Sequence, residues 1–195
     1  LIGNAAKIGD ASTAVDWLNR MRDEHVAPNR ISYNSIVSAC ARGGDLKLAT
    51  QYMDKMSQEG MQPNLRTFNA IIYSSVLSGD GDQAVKWVRQ MKKIGLKPDA
   101  ISYNSCIDAY SSRADAKNAK IWFSVMNDEK LVADRFSYCS VIDAHAQIGD
   151  ATGSENWLKL MAGSKVVRPD TFCFGAVIYA YAHAGDLENA KIWLD

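Results

Sequence analysis

Five methionines, Met21, Met56, Met91, Met126 and Met161, fall 35 residues apart along a chain of 195 residues. A fixed period of this length marks an array of supersecondary units, not a single-core domain. The tryptophans keep the same beat. Trp17, Trp87, Trp122, Trp157 and Trp193 occupy successive slots, and Tyr52 fills the one they leave vacant. Gly-Asp recurs at 9–10, 44–45, 79–80, 149–150 and 185–186, with Ala-Asp at 114–115. Three residue types sharing one period exclude chance. The register gives a partial unit at 1–29, full units at 30–64, 65–99, 100–134 and 135–170, and a partial unit at 171–195.

Each unit reads as a pair of helices. Tyr33, Ile36, Val37 and Cys40 stand at the spacing of one apolar helical face. Ser32, Thr67, Ser102 and Ser137 lie just before that face and are expected to cap its open amides. Gly-Asp then ends the first helix and starts the second, the glycine taking the left-handed turn and the aspartate the cap. The second helix carries Ala84, Trp87, Val88 and Met91 as its stripe, and stops near Gly60 or Gly95 with Pro63 or Pro98 following. The tryptophans are therefore expected in the packing between helices. One hairpin cannot bury its own apolar face, so neighbours must stack on it. The expected fold is all-α: an α-solenoid of stacked helical hairpins forming a right-handed superhelix, first helices on the concave side. The opening LIGNAAKIGD and the last residues fall inside helices in this register. The chain is accordingly expected to be a piece of a longer protein, with apolar faces at Leu1 and Asp195 that capping repeats would cover.

Lys and Arg total 22 and Asp and Glu total 22, without the basic excess of most nucleic-acid binders. No apolar run approaches the roughly 20 residues of a membrane span, so no membrane partner is expected. Cys40, Cys106, Cys139 and Cys173 show no metal spacing and are expected as buried, reduced thiols on helices. His25, His145 and His183 occupy different repeat positions, and Asp143 in the DAH at 143–145 repeats Asp108. No metal site, cofactor or catalytic constellation is expected, and the chain is not read as an enzyme.

The unit ISYNSIVSACARGGDLKLATQYMDKMSQEGMQPN resembles the pentatricopeptide repeat. It has the apolar residue before Ser/Thr, the Tyr-Asn pair, the central Gly, the Ala and Met of the second helix, and the closing Gly-x-x-Pro-Asn/Asp. The resemblance covers essentially the whole chain, and its uniform unit length resembles the pure 35-residue class. It implies sequence-selective single-stranded RNA binding, one base per repeat, in a mitochondrion or chloroplast, serving RNA processing, stability or translation. An alternative is a protein–protein scaffold, for instance in an organellar ribonucleoprotein, with protein partners along the concave face.

Asn34, Asn69 and Asn104 lie about 100° around the helix from the apolar stripe. There each amide is expected to point out of the core with a donor and an acceptor for a base edge. The resemblance pairs them with Asn64, Asp99 and Asp134 as base readers, and in the next unit pairs Cys139 with Asp170. It implies a pyrimidine, favouring C, at 30–64, then U at 65–99 and U at 100–134, with the RNA 5′ end toward the N-terminal units. Cys139 and Gly175 stand where asparagine is expected, so their units are expected to discriminate poorly. The resemblance assigns base stacking to Ile31, Arg66, Ile101, Phe136 and Phe172. It assigns phosphate contact to Lys7 and Arg42, while Leu77, Ser112, Gln147 and His183 fill the equivalent places without a lysine or arginine.

Overall fold

The computed structural model describes residues 2–194, so the expected helical ends at Leu1 and Asp195 lie outside the described residues. The chain forms two compact units, residues 1–98 and 99–195. Among the described residues the regular structure is entirely α-helical. The first unit holds α1 (Ile2–Ile8), α2 (Ala11–Asp23), α3 (Arg30–Arg42), α4 (Leu46–Gln58), α5 (Leu65–Leu77) and α6 (Gly81–Lys93). The second holds α7 (Ala100–Ser111), α8 (Ala116–Asp128), α9 (Arg135–Gln147), α10 (Ala151–Gly163), α11 (Thr171–His183) and α12 (Leu187–Leu194).

Successive helices pair as hairpins, and the hairpins stack through their first helices. In the first unit α3 packs on both α1 and α5, and in the second α9 packs on both α7 and α11. Second helices fill the gaps behind: α2 and α4 reach forward to α3 and α5, and α8 and α10 to α9 and α11. Met56, Met91, Met126 and Met161 are fully buried, which explains their strict period. Four of the half-buried tryptophans meet an aromatic ring in the first helix of their own hairpin, and Trp157 also meets Phe123 of the preceding hairpin at 4.8 Å. Trp87 meets Phe68 edge-on at 6.4 Å, Trp122 meets Tyr103 at 6.1 Å, Trp157 meets Tyr138 at 6.4 Å, and Trp193 meets Phe174 at 6.1 Å. A large side chain repeated at one register position can do this in every hairpin.

The caps lie one turn earlier than the sequence suggests. Asn29, Asn64, Asp99, Asp134 and Asp170 are the N-caps of α3, α5, α7, α9 and α11, in extended backbone. Ser32, Thr67, Ser102 and Ser137 sit three residues on and are held by the cap. Thr67, Ser102 and Ser137 also accept from the cap's own N–H, completing capping boxes. Their hydroxyls are too far into the helix to act as caps. The second helices are capped as expected, by Asp10, Asp45, Asp80, Asp115 and Asp150.

Two asparagines expected to point away from the core are instead buried between first helices. Asn34 Oδ1 accepts from Thr67 Oγ1 of α5 at 2.5 Å, and Asn104 Oδ1 accepts from Ser137 Oγ of α9 at 2.6 Å. Asn104 Nδ2 also donates to both oxygens of Asp134 at 3.1 Å. The next helix packs close enough to cover what an isolated helix would expose. Asn69 is half-buried. The cysteines divide as well. Cys40 and Cys106 are free and buried, whereas Cys139 and Cys173 are joined as a disulfide, contrary to the reduced thiols expected.

Ala114, which replaces the glycine of the recurrent Gly-Asp, adopts φ 58° where Gly44, Gly79 and Gly149 have φ 80°, 62° and 72°. A Cβ there costs about 1–2 kcal/mol, partly offset by the greater unfolded-state freedom of glycine. Ala114→Gly is expected to raise stability by about 0.5–1 kcal/mol in urea unfolding. Asn104→Ala removes a buried bridge between α7 and α9, so its expected effect is a loss of about 1–3 kcal/mol in the same assay. A loss confined to a few tenths would show that water replaces the amide at no cost.

Candidate nucleic-acid interface

In the first unit, a cavity of about 320 Å³ is lined by Lys7, Ile31, Asn34 and Arg66, with Gly3, Asn4 and Ser35 completing it. Four residues singled out in the sequence for three separate roles thus meet in one place. Helical geometry brings them together: Ile31 and Asn34 are one turn apart on α3, Lys7 comes from the end of α1, and Arg66 from the start of α5. Ile31 is 72% exposed, an apolar side chain left in solvent at the cavity mouth. The Asn34 amide lies behind it, with its oxygen held by Thr67.

The second unit repeats the arrangement with different chemistry. A cavity of about 500 Å³ is lined by Phe136, Cys139 and Phe172, at the register of Ile31, Asn34 and Arg66. Phe136 and Phe172 are 52% and 59% exposed. Asp108, Asp134, Asp143 and Asp170 also line it, with Arg135 as the cation. Burial pushes the Asp108 carboxyl above its usual range; the Ser140 hydroxyl at 3.3 Å opposes this and nearby Asp143 adds to it. Arg135 pairs with Asp170 at 3.0 Å. This cavity is acidic where the first is basic. The sequence showed Asp108 and Asp143 as one repeat position, but their convergence with Asp134 and Asp170 depends on how the helices stack.

Asn104 and Asp134, paired in the sequence as expected base readers, are brought into direct contact across 30 residues of sequence. Asn34 and Asn64 are joined through a third side chain, since Thr67 Oγ1 lies 2.5 Å from one and 3.1 Å from the other. Ile101 is 61% exposed on α7, one turn before Asn104. Lys7 and Arg42 are both exposed, but the Arg42 guanidinium lies over the Tyr73 ring, 5.7 Å from its centroid. Gly175 is exposed on α11 and contributes no side chain. Of the non-basic positions, Gln147 is tied to Asp143 at 2.6 Å and His183 stacks on Tyr179.

Among the described residues one group has the donor set for a metal ion, Cys139, Asp170 and Cys173, with ligand atoms within 4.8 Å of one another. Both sulfurs are engaged in the disulfide. His145 Nδ1 lies 2.8 Å from Asp150 Oδ2, an acidic partner other than the neighbouring Asp143. Among the described residues no helix is long and apolar enough to cross a membrane.

Comparison with known proteins gives this geometry a context. The family model described as the pentacotripeptide-repeat region of PRORP matches residues 2–153, and the PPR repeat model matches residues 172–195. A mitochondrial pentatricopeptide repeat-containing protein of Arabidopsis thaliana is 44% identical over 43 residues, which are 22% of this chain and 6% of that protein. The chain therefore matches only a small part of that relative. Among solved structures, the pentatricopeptide repeat protein PPR10 from maize is similar with a TM-score of 0.69 at 20% identity, over 97% of this chain and 31% of that one. The PPR domain of Arabidopsis thaliana protein-only RNase P 1, solved with tRNA, has a TM-score of 0.66 at 20% identity, over 83% and 85%. Arabidopsis thaliana nuclear protein-only RNase P 2 has a TM-score of 0.72 at 14% identity, over 93% and 40%. These structures share the fold. With three quarters of its length matched by one family model and its last hairpin by another, the chain belongs to the pentatricopeptide-repeat family.

Proposed function

We propose that this chain binds single-stranded RNA through the layer of first helices, one base to each repeat, in a mitochondrion or chloroplast. The observation that carries the reading is the cavity uniting Ile31, Asn34, Arg66 and Lys7. It supplies an apolar side chain and a guanidinium to lie against base faces, an amide for the base edge, and an ammonium for phosphate. Structures similar in fold were solved with an 18-nucleotide psaJ RNA element and with tRNA, which supports RNA as the partner. The mitochondrial relative supports an organelle.

On this proposal the repeats are 30–64, 65–99, 100–134 and 135–170, flanked by partial repeats at 1–29 and 171–195. Asn34 with Asn64 takes a pyrimidine, Asn69 with Asp99 takes U, and Asn104 with Asp134 takes U, in 5′ to 3′ order. Stacking falls to Ile31, Arg66, Ile101, Phe136 and Phe172, and phosphate to Lys7 and Arg42. Cys139 with Asp170 reads weakly, because neither sulfur of a disulfide carries a proton to donate. The array binds and positions RNA; no step of RNA chemistry is assigned to it.

The acidic second cavity confines the electrostatic share of binding to the first unit. RNA affinity is accordingly expected to fall only shallowly with salt. Lys7→Ala should weaken RNAs of all sequences alike and reduce the log–log salt slope by about one. A titration of the chain with oligonucleotides carrying CUU or GAA cores checks the code. Tighter binding of CUU supports it, equal binding of the two overturns it, and no binding of either overturns the RNA reading in favour of a protein scaffold.

A further inference from the structure

The disulfide occupies a position of particular meaning in the stack. Cys173 stands where α5 has Thr67 and α9 has Ser137. Its Sγ lies 3.8 Å from Met161 Sδ, as Ser137 Oγ lies 3.8 Å from Met126 Sδ, and its N–H donates to the Asp170 cap as that of Ser137 does to Asp134. Cys139 stands where α3 has Asn34 and α7 has Asn104. The bridge joining successive first helices is therefore amide to hydroxyl between α3 and α5 and between α7 and α9, and sulfur to sulfur between α9 and α11. Both halves of one bridge differ together. A single cysteine in either place would leave a weak partner for an amide or a hydroxyl; two cysteines restore a bridge through a bond that oxidation makes.

We propose that Cys139 and Cys173 are a redox modification site, a dithiol that a low-molecular-weight disulfide oxidises so that α9 is locked to α11. The Cα atoms are 5.7 Å apart, inside the span that a disulfide bridges without moving the backbone. The two sulfurs differ in access. Cys139 lines the 500 Å³ cavity, which admits a small disulfide, while Cys173 is fully buried behind it. The Cys139 thiolate attacks one sulfur of the small disulfide and releases the first thiol. The Cys173 thiolate then attacks Cys139 Sγ and releases the second. Two thiols and one small disulfide become one protein disulfide and two small thiols; the protein loses two electrons and the two protons, and the small disulfide gains them.

The other cysteines are internal controls. Burial, helped by Asp45, pushes the Cys40 thiol up to about 11, and burial pushes that of Cys106 up to about 12. Neither lines the cavity. They remain thiols under conditions that oxidise the pair.

The test needs no RNA, so its outcome is separate from the RNA reading. The folded chain is equilibrated in reduced or oxidised glutathione, quenched in acid, unfolded and alkylated, and its mass and peptide map are taken. Of the four cysteines, all four are expected to be alkylated after the reduced buffer and only Cys40 and Cys106 after the oxidised one, with a 139–173 crosslinked peptide. The oxidised form is expected to melt at the higher temperature, because a crosslink closing a 34-residue separation restrains the unfolded chain. Cys139→Ser should abolish the crosslink. The double variant Cys139→Asn, Cys173→Ser rebuilds the amide–hydroxyl bridge, and should fold and melt alike in both buffers. Alkylation of Cys139 and Cys173 after the oxidised buffer overturns the proposal. So does glutathione accumulating on Cys139 without closure, or equal melting temperatures of the two wild-type forms.

Discussion

The residues that cap α5, α9 and α11 also tie those helices, directly or through one further side chain, to the first helix before them. Asp134 shows how. Its carboxylate accepts the N–H of Ser137 in its own helix and the Nδ2 of Asn104 in the helix before, its own N–H donates to Ser137 Oγ, and the Ser137 hydroxyl proton goes to Asn104 Oδ1. One side chain thus starts α9, fixes the rotamer of Ser137, and ties both to α7. Apolar burial drives the hairpins together but has no direction, so hydrophobic stripes alone would tolerate a slide of one helix along another. The charge-assisted hydrogen bonds do not, because they weaken steeply with distance and angle. Every other regularity, from the buried methionines to the tryptophans packed on the first helices, presupposes that register.

The same bridges bear on recognition. A free asparagine at a helix start would lose side-chain entropy on meeting a base, and water would compete for its amide. Asn104 has already lost that freedom to Ser137 and Asp134. Its amide nitrogen carries two protons and meets both oxygens of the Asp134 carboxylate. A reader held in this way loses little on binding, which is the advantage of preorganisation. On the proposed reading role, removing the Asn104 side chain disturbs the stack as well as any contact to a base.

Helices, hairpins and the methionine and tryptophan roles were legible in the sequence because they follow from a period and from apolar spacing, which are local properties. The left-handed turn at Ala114 was not foreseen, since that conformation was expected of glycine; at φ 58° the alanine copies the glycines in register. The misplaced caps have a simple cause. Asn29 and Ser32 are both good capping residues three positions apart, and only the observed helix start separates a cap from the third residue of a capping box. The burial of Asn34 and Asn104 could not be seen from one helix, because the covering surface comes from the helix 33 residues on. The disulfide was hidden in another way. Cys139 and Cys173 match no short motif, and their pairing becomes visible only when Cys173 is set in the serine register of the preceding units.

The two cavities show what an array can and cannot inherit from its repeat. Position in the stack is inherited, so Ile31, Asn34 and Arg66 in one unit correspond to Phe136, Cys139 and Phe172 in the other. Charge is not. The first cavity gains Lys7 and Arg66; the second gathers four aspartates against Arg135. Within a Debye length of about 8 Å at physiological salt, each cavity is governed by its own side chains and scarcely by the zero net charge of the chain. A neutral total therefore conceals a basic site and an acidic one. The acidic site sets a cost on phosphate nearby, and there Phe136 and Phe172 offer larger apolar faces than Ile31 does. Flat stacking surface can hold a base without drawing on charge, so the cavity with fewer cations is the one lined by rings.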